Sequence, residues 1–396
     1  MYWFGLIWQM DFTLACDIML DLEGSIRPAM YLAKELVAKG HGVSMISPSM
    51  TDSVKENLYS LGITPTSLGA RLASRSSGPS VLWFETWARE AFLRLNSRRV
   101  ANGDSTMINF SQVISVPSAI WYLQGPPSIA LRDMEKELST GFRITYDVLK
   151  PVIGYADGKL VSRMGKVSSF VIANSKFCAS MYSDFGVKVD EIIYPPIECQ
   201  VFRPRTPKPS SDYVLTYFGK ETKFSVVKSV ADKGLKIKAF GSKTRFIPDV
   251  LLRHPNVEFL GRVNTHDLVD LYANALFTLF PFTHEPFGYV PLESMACGTP
   301  ALTYDIQGPS EYVVNDRTGW LAHTDEEIIQ TSVELWKEGY PRHIRNECLK
   351  EASKFDRKLY TESWLKILEA TSKDPRALHT DPEHTRPPKS NNYVAQ

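Results

Sequence analysis

The sequence predicts an α/β protein built from two doubly wound domains, each a parallel sheet with helices on both faces. Three observations carry this. Apolar runs of strand length alternate with stretches of helical periodicity from Asp11 to Ala370. One proline- and serine-rich stretch, 195–211, interrupts the alternation once, as a linker would. The 396 residues also exceed the ~100–200 of a usual domain.

The first unit opens with an apolar strand over 12–20. After Gly24, the apolar residues of Met30-Tyr-Leu-Ala-Lys-Glu-Leu-Val37 recur at helical spacing until Gly40-His-Gly42 ends the helix, and 43–46 forms a second buried strand. That is one βαβ unit. The pattern returns as a strand over 168–173, a helix over 175–185 and a strand over 192–194. Beyond the linker, strands are expected at 213–218, 235–240, 257–260, 276–280 and 301–304. Helices are expected at 224–231, 267–273, 288–296, 326–338, 342–355 and 360–370. The domains are therefore 1–205 and 206–355, with a last helix within 356–371 packing back on the first. A polar, proline-bearing tail over 372–396 has the composition of a disordered segment. The cleft between the domains is the default site.

Composition narrows the function. A hydrophobic share of 43% and a charged share of 22% exclude a disordered chain. Lys+Arg 45 against Asp+Glu 44 gives a net charge of +1, so no global field gathers nucleic acid or anionic membrane. The five cysteines are scattered, which argues against a zinc site or a disulfide framework and suits a reducing, cytoplasmic compartment. No window approaches the ~18–20 apolar residues of a membrane span. The opening run Met1-Tyr-Trp-Phe-Gly-Leu-Ile-Trp8 is short and lacks a basic flank, so it is not read as a signal peptide. A start at Met10, or a stub dipping into a surface, fits it equally.

One segment stands out: His284-Glu-Pro-Phe-Gly-Tyr-Val-Pro-Leu-Glu-Ser-Met-Ala-Cys-Gly-Thr-Pro300. Glu285 and Glu293 stand eight apart across a strand-to-helix junction, with Pro286 and Gly288 shaping the turn. The N–H groups of Phe287, Gly288, Tyr289 and Val290 lack intrahelical partners and form an anion site suited to a diphosphate. Glu285 faces what lies beyond the phosphates, and Glu293, ~7 Å along the axis, meets a group on their other side. A nucleoside diphosphate sugar has that layout. For an arbitrary pair of glutamates at this spacing the plainer reading is a capped helix with Glu293 solvated. The proline, the glycines and the strand before them favour the site.

At these residues the chain resembles the retaining, GT-B-fold glycosyltransferases of family 4, also called glycosyl transferases group 1. Asn256-Val-Glu-Phe-Leu-Gly-Arg262 and Leu268-Val-Asp-Leu-Tyr-Ala-Asn274 resemble the segments before the motif, and Gly308-Pro-Ser-Glu311 and Thr318-Gly-Trp-Leu321 those after it. Ile172-Ala-Asn-Ser-Lys-Phe177 and 189–204 resemble the exit from the first domain, and Glu23-Gly-Ser-Ile-Arg27 falls at the family's glycine-rich donor loop. The resemblance implies two Rossmann-like domains facing across a cleft, the donor on the second and the acceptor on the first, with closure excluding water. Carried over, Glu285 binds donor-sugar hydroxyls and Glu293 the ribose. The amides from Phe287 to Val290 hold the diphosphate, Arg262 borders the base, and Gly24 lets backbone approach phosphate. Glu23 stands where the family has its first glycine.

The resemblance also assigns two basic residues to the departing diphosphate. Gly219-Lys-Glu-Thr-Lys223 offers Lys220 and Lys223, three apart rather than five, and solvated loop lysines are the alternative. No D-x-D triplet occurs, so no metal or other cofactor is implied. The eight histidines leave a gap from His41 to His254, so for the acceptor-side histidine common in the family the first domain offers only His41, which the Gly40-His-Gly42 turn marks as a loop residue. Trp121-Tyr-Leu-Gln124 resembles the strand end that carries it, which puts Gln124 in its place or makes it an ordinary strand-end residue. A glutamine donates a hydrogen bond but takes no proton at neutral pH.

A helix over 83–99 aligns Phe84, Trp87, Ala88, Ala91, Phe92 and Leu95, with Arg89, Arg94, Arg98 and Arg99 largely elsewhere. It either packs that stripe on the sheet or lies on the inner membrane face beside a lipid-linked acceptor. The leading expectation is a retaining, metal-independent hexosyltransferase using a nucleotide sugar and a glycan or lipid-linked acceptor, with no nucleic-acid partner. An inactive nucleotide-sugar-binding subunit and a nucleotide-sugar epimerase are the alternatives.

Overall fold

The computed structural model describes residues 9–22, 24–70, 79–100, 103–134, 140–205, 209–241 and 247–373. The opening run Met1 to Trp8, Glu23 and the tail from 374 lie outside them. The first sheet comprises β1 (Asp11–Ala15), β2 (Gly42–Ser47), β3 (Thr64–Ser67), β4 (Thr106–Asn109), β5 (Ser118–Leu123), β6 (Ser168–Ala173) and β7 (Glu191–Ile192). Its strands are parallel, in the order β3-β2-β1-β4-β5-β6-β7. Helices α1 (Arg27–Ala38), α2 (Asp52–Ser60), α3 (Pro79–Leu93), α4 (Pro127–Asp133), α5 (Thr140–Val167) and α6 (Lys176–Ser183) cover it.

The second sheet comprises β8 (Val214–Tyr217), β9 (Ile237–Phe240), β10 (Val257–Gly261), β11 (Thr278–Phe280), β12 (Ala301–Tyr304) and β13 (Gly319–Ala322). It is also parallel, in the order β10-β9-β8-β11-β12-β13. Its helices are α7 (Phe224–Asp232), α8 (Asp249–Leu252), α9 (Thr265–Asn274), α10 (Tyr289–Ala296), α11 (Asp325–Glu338) and α12 (His343–Ala352). In both sheets the fourth strand lands beside the first, so a crevice opens beyond the carboxyl ends of β1/β4 and of β8/β11.

Local signals set the helix starts. Thr51, Ser175, Asn264 and Thr324 cap α2, α6, α9 and α11 through their side chains. α5, at 28 residues the longest described helix, is not signalled by the sequence pattern. Pro151, Gly154, Gly158 and Gly165 interrupt its periodicity, and its packing against α3 and β6 overrides them.

A final helix, α13 (Arg357–Lys373), returns to the first domain. Trp364 is fully buried there, its ring 5.4 Å from Phe110 and 5.8 Å from Tyr122, and the Tyr360 hydroxyl donates to the Pro28 carbonyl at 2.8 Å. The two chain passages between domains run side by side. Ile197 N–H donates to Phe355 O at 2.8 Å, and Arg357 N–H donates to Ile197 O at 2.9 Å.

The helix expected over 83–99 stops at Leu93, and Arg94 takes a left-handed φ of 55°. Trp87 and Ala91 are buried against the first domain's core, while Phe84, Phe92 and Leu93 are exposed. The expected stripe is therefore split between core and surface. Glu90 anchors the turn by accepting from the N–H groups of Asn96, Ser97 and Ser115 and from the Ser115 hydroxyl. No described helix is long and apolar enough to cross a membrane.

Candidate functional site

The loop from β11 to α10 meets the first domain across the cleft. Pro286 fits against Gly125, whose φ of +115° and close approach exclude a side chain. Gly308 is equally constrained: a Cβ there would lie 2.1 Å from the Pro286 carbonyl oxygen. Ser175 donates to that same oxygen at 2.5 Å while capping α6. The Glu311 carboxylate accepts from the N–H groups of Lys176 and Phe177 at 3.0 and 2.7 Å, and from the Tyr194 hydroxyl at 2.8 Å. A carboxylate of the second domain thus caps a helix of the first.

Glu285 is half-buried at the start of this loop. Burial, with Glu221 beside it, pushes its carboxyl up to about 7, while the Phe287 and Gly288 amides and Lys220 pull the other way. Its Oε1 accepts from the Phe287 N–H at 3.3 Å. This corrects the expectation of four free amides: Glu285 itself occupies the first of them. The helix also begins at Tyr289 rather than Gly288, the N-cap, where φ 90° and the nearness of Pro309 and Tyr312 both exclude a side chain. The first-turn N–H groups of Tyr289 and Val290 have no intrahelical acceptor.

Glu293 is buried and has two partners. Tyr272 donates to its Oε2 at 3.1 Å, and Arg27 of the first domain reaches its Oε1 at 2.6 Å. The Arg27 guanidinium also lies 4.1 Å from the centre of the Tyr289 ring. Burial opposes its charge, yet Glu293 and Tyr289 beside it hold the proton more firmly than usual. The Tyr289 hydroxyl is buried with no hydrogen-bond partner among the described residues. Sequence reasoning missed Arg27, though it lies within the Glu23-Gly-Ser-Ile-Arg27 segment beside Gly24.

The remaining residues divide. Gly24 has φ +64°, which favours glycine, and opens the turn leading to Arg27. Lys220 is half-exposed, 3.3 Å from Glu221 and near Glu285. Lys223 instead pairs with Asp325 at 2.8 Å and lies 4.4 Å over the Tyr304 ring, so the two lysines do not converge. Arg262 is exposed at the end of β10, 3.9 Å from Asp21 across the cleft. Gln124 donates to the Phe110 carbonyl at 2.9 Å.

Two further acidic residues belong to the first domain. The Asp133 carboxylate is 2.9 Å from Nδ1 of His284, so the motif's histidine meets an acid of the other domain. Asp17, just after β1, accepts from the Trp83 indole at 2.9 Å, the Ser111 hydroxyl at 2.6 Å and the Gln112 N–H at 2.8 Å. Burial raises its carboxyl despite those donors. No sequence motif marks it.

Residues 250–354 match the family model described as glycosyl transferases group 1. An uncharacterized glycosyltransferase of Methanocaldococcus jannaschii is 35% identical over 103 residues, 25% of this chain and 26% of that protein. A GDP-mannose-dependent alpha-(1-6)-phosphatidylinositol dimannoside mannosyltransferase of Mycobacterium tuberculosis is 31% identical over 125 residues, covering 31% and 32% of the two chains. The chain spans between 16% and 26% of the length of the first curated relatives it matches. Among solved structures, Anabaena HepE in complex with UDP superposes with a TM-score of 0.63 at 16% identity, over 91% of this chain and 100% of that one. WaaG, a glycosyltransferase involved in lipopolysaccharide biosynthesis, gives 0.64 at 15% identity, over 90% and 99%. The architecture is the GT-B fold.

Proposed function

We propose that this chain is a retaining glycosyltransferase that moves a hexose from a nucleoside diphosphate sugar to a hydroxyl acceptor. One observation carries the reading: the β11–α10 junction sets Glu285, a helix N-terminus and Glu293 in a row, facing the other domain. Glu285 takes hydroxyls of the donor sugar, Tyr289 and Val290 offer N–H groups to the diphosphate, and Glu293 receives the ribose hydroxyls. Gly24 brings backbone close, Lys220 adds positive charge, and Arg262 borders the base. The matched relatives support a nucleotide-sugar donor and differ in it: HepE was solved with UDP, and the Mycobacterium enzyme is GDP-mannose-dependent.

The acceptor oxygen attacks the anomeric carbon on the face the phosphate leaves. The bond from that carbon to the phosphate oxygen breaks, and a phosphate oxygen takes the acceptor proton. Gln124 fits such a step, since it holds a carbonyl and accepts no proton. No metal is required in it, because N–H groups and cations meet the developing charge.

The test is a thermal-shift screen of UDP, GDP and ADP with their glucose and mannose derivatives. A ligand at 100 times its Kd stabilises by about 2.7 kcal/mol. Nucleotide release is then followed with glycan and lipid-extract acceptors. Binding without release would indicate an inactive subunit, and a sugar altered without acceptor would indicate an epimerase.

A specific observation supports peripheral membrane contact through α5, whose apolar line is exposed where that of the 83–99 segment is split between core and surface. Ile144, Val148, Val152 and Tyr155 follow one helical line at 61%, 73%, 50% and 70% exposure. Arg143, Lys150, Lys159 and Lys166 are exposed on the same helix, against Asp147. Such a face suits anionic lipid bearing an acceptor. Co-sedimentation with phosphatidylglycerol vesicles, lost on V148E/V152E, is the expected result. Equal binding to phosphatidylcholine vesicles would remove the electrostatic part.

A further inference from the structure

The cation best placed for the diphosphate is neither lysine of the loop after β8. Lys223 is committed to Asp325 and Tyr304, and Lys220 is half-exposed and paired with Glu221. Arg27 belongs to the opposite domain, yet its guanidinium lies on Tyr289, the first residue of α10. Its side chain is only 19% exposed, it follows the Gly24 turn directly, and the unpartnered Tyr289 hydroxyl is beside it. A guanidinium carries five N–H donors in a planar fork that matches phosphate oxygens two at a time. Here that fork holds Glu293 at 2.6 Å and has the Tyr31 hydroxyl nearby.

We propose that Arg27 is the diphosphate-binding cation of the cleft, reached by an exchange of partners. The ribose hydroxyls take over the oxygens of Glu293, and Arg27 passes to the phosphates of the same donor. Donor binding then joins the two domains through the ligand instead of through a direct ion pair. The exchange offsets the cost of parting Glu293 from Arg27, because Tyr272 and the ribose hydroxyls remain as donors. This rests on the donor site proposed above and adds a first-domain residue to it.

The sign of one measurement separates this from a simple latch. Titration calorimetry would compare a nucleoside diphosphate and the nucleoside of the same base, using whichever of UDP, GDP and ADP binds the native chain. In R27M the diphosphate is expected to weaken by about tenfold or more, while the nucleoside binds as well as before or better. In R27K the charge remains but the fork is lost, and an intermediate weakening of the diphosphate alone is expected. An R27M chain whose diphosphate affinity is unchanged or tighter would overturn the proposal, since a mere latch competes with the ribose. If R27M unfolds, R27K carries the same comparison. A native chain that binds none of the three diphosphates removes the donor site itself and this inference with it. Native binding with Arg27 variants unaffected removes this inference alone.

Discussion

At the carboxyl ends of β8 and β11 the crevice is ionic, with Glu285, Glu293 and Lys220 around a helix N-terminus. At the carboxyl ends of β1 and β4 the polar groups are tied within their own domain, with Asp17 held by Trp83, Ser111 and Gln112 while Gln124 holds a carbonyl. The first six strands of each domain follow the same order, so backbone topology makes both crevices and side chains distinguish them. The proposed transfer, from a charged donor to a hydroxyl acceptor, would use that difference. The ionic crevice also borrows from its neighbour, because the cation on Glu293 comes from the first domain.

The sharpest way to separate the domains is W364A. Removing this buried indole should cost about 3–5 kcal/mol, and the loss should fall on the first domain. Urea unfolding followed domain by domain should show its transition shifted and the other in place. Equal shifts would mean that the domains unfold as one unit.

E285Q should lower turnover by about 10²–10³-fold while leaving nucleotide affinity nearly intact, read from nucleotide release and titration. Its stability should change in the opposite sense. Because the folded carboxyl lies at about 7 against 4.5 ordinarily, the folded chain binds the extra proton, and native stability falls as pH rises through that interval. The loss is on the order of 3 kcal/mol. E285Q should flatten that slope in melts across the same range. A slope that persists in the variant would assign it to another group.

E311Q removes charge from the acceptor shared by Lys176, Phe177 and Tyr194, and should cost about 1–2 kcal/mol. Melting temperature measures it, and an unchanged value would show that the cap contributes nothing across the cleft. The smallest effect is expected from D17N, which should raise the acceptor KM and leave nucleotide affinity within about twofold, the two crevices being separate. A matching loss of nucleotide affinity would end the division of labour between them.

Most of this comparison was legible on one side. The strands at 168–173 and 301–304 are legible to the residue, because each carries a short buried apolar run bounded by turn formers. The pairing of Glu285 with a helix start was legible because it is local. Arg27 and Glu293 are 266 positions apart, and their contact follows only from how two sheets face each other. Asp17 and Asp133 were missed for the same reason. The Phe287 amide was expected to be free, and spacing alone gave no sign that Glu285 would fold back onto it. The helix over 83–99 failed through a single left-handed residue, Arg94, which no periodicity announces.

Trp364 has one more consequence, in the order of synthesis. The first domain is begun at β1 but keeps an open core until α13 supplies the indole between Phe110 and Tyr122. Every strand of the second domain has by then been made. On the ribosome the domain that starts first is therefore the last to be finished. Its apolar residues wait through the translation of the whole second domain, and a nascent chain arrested before 357 exposes them.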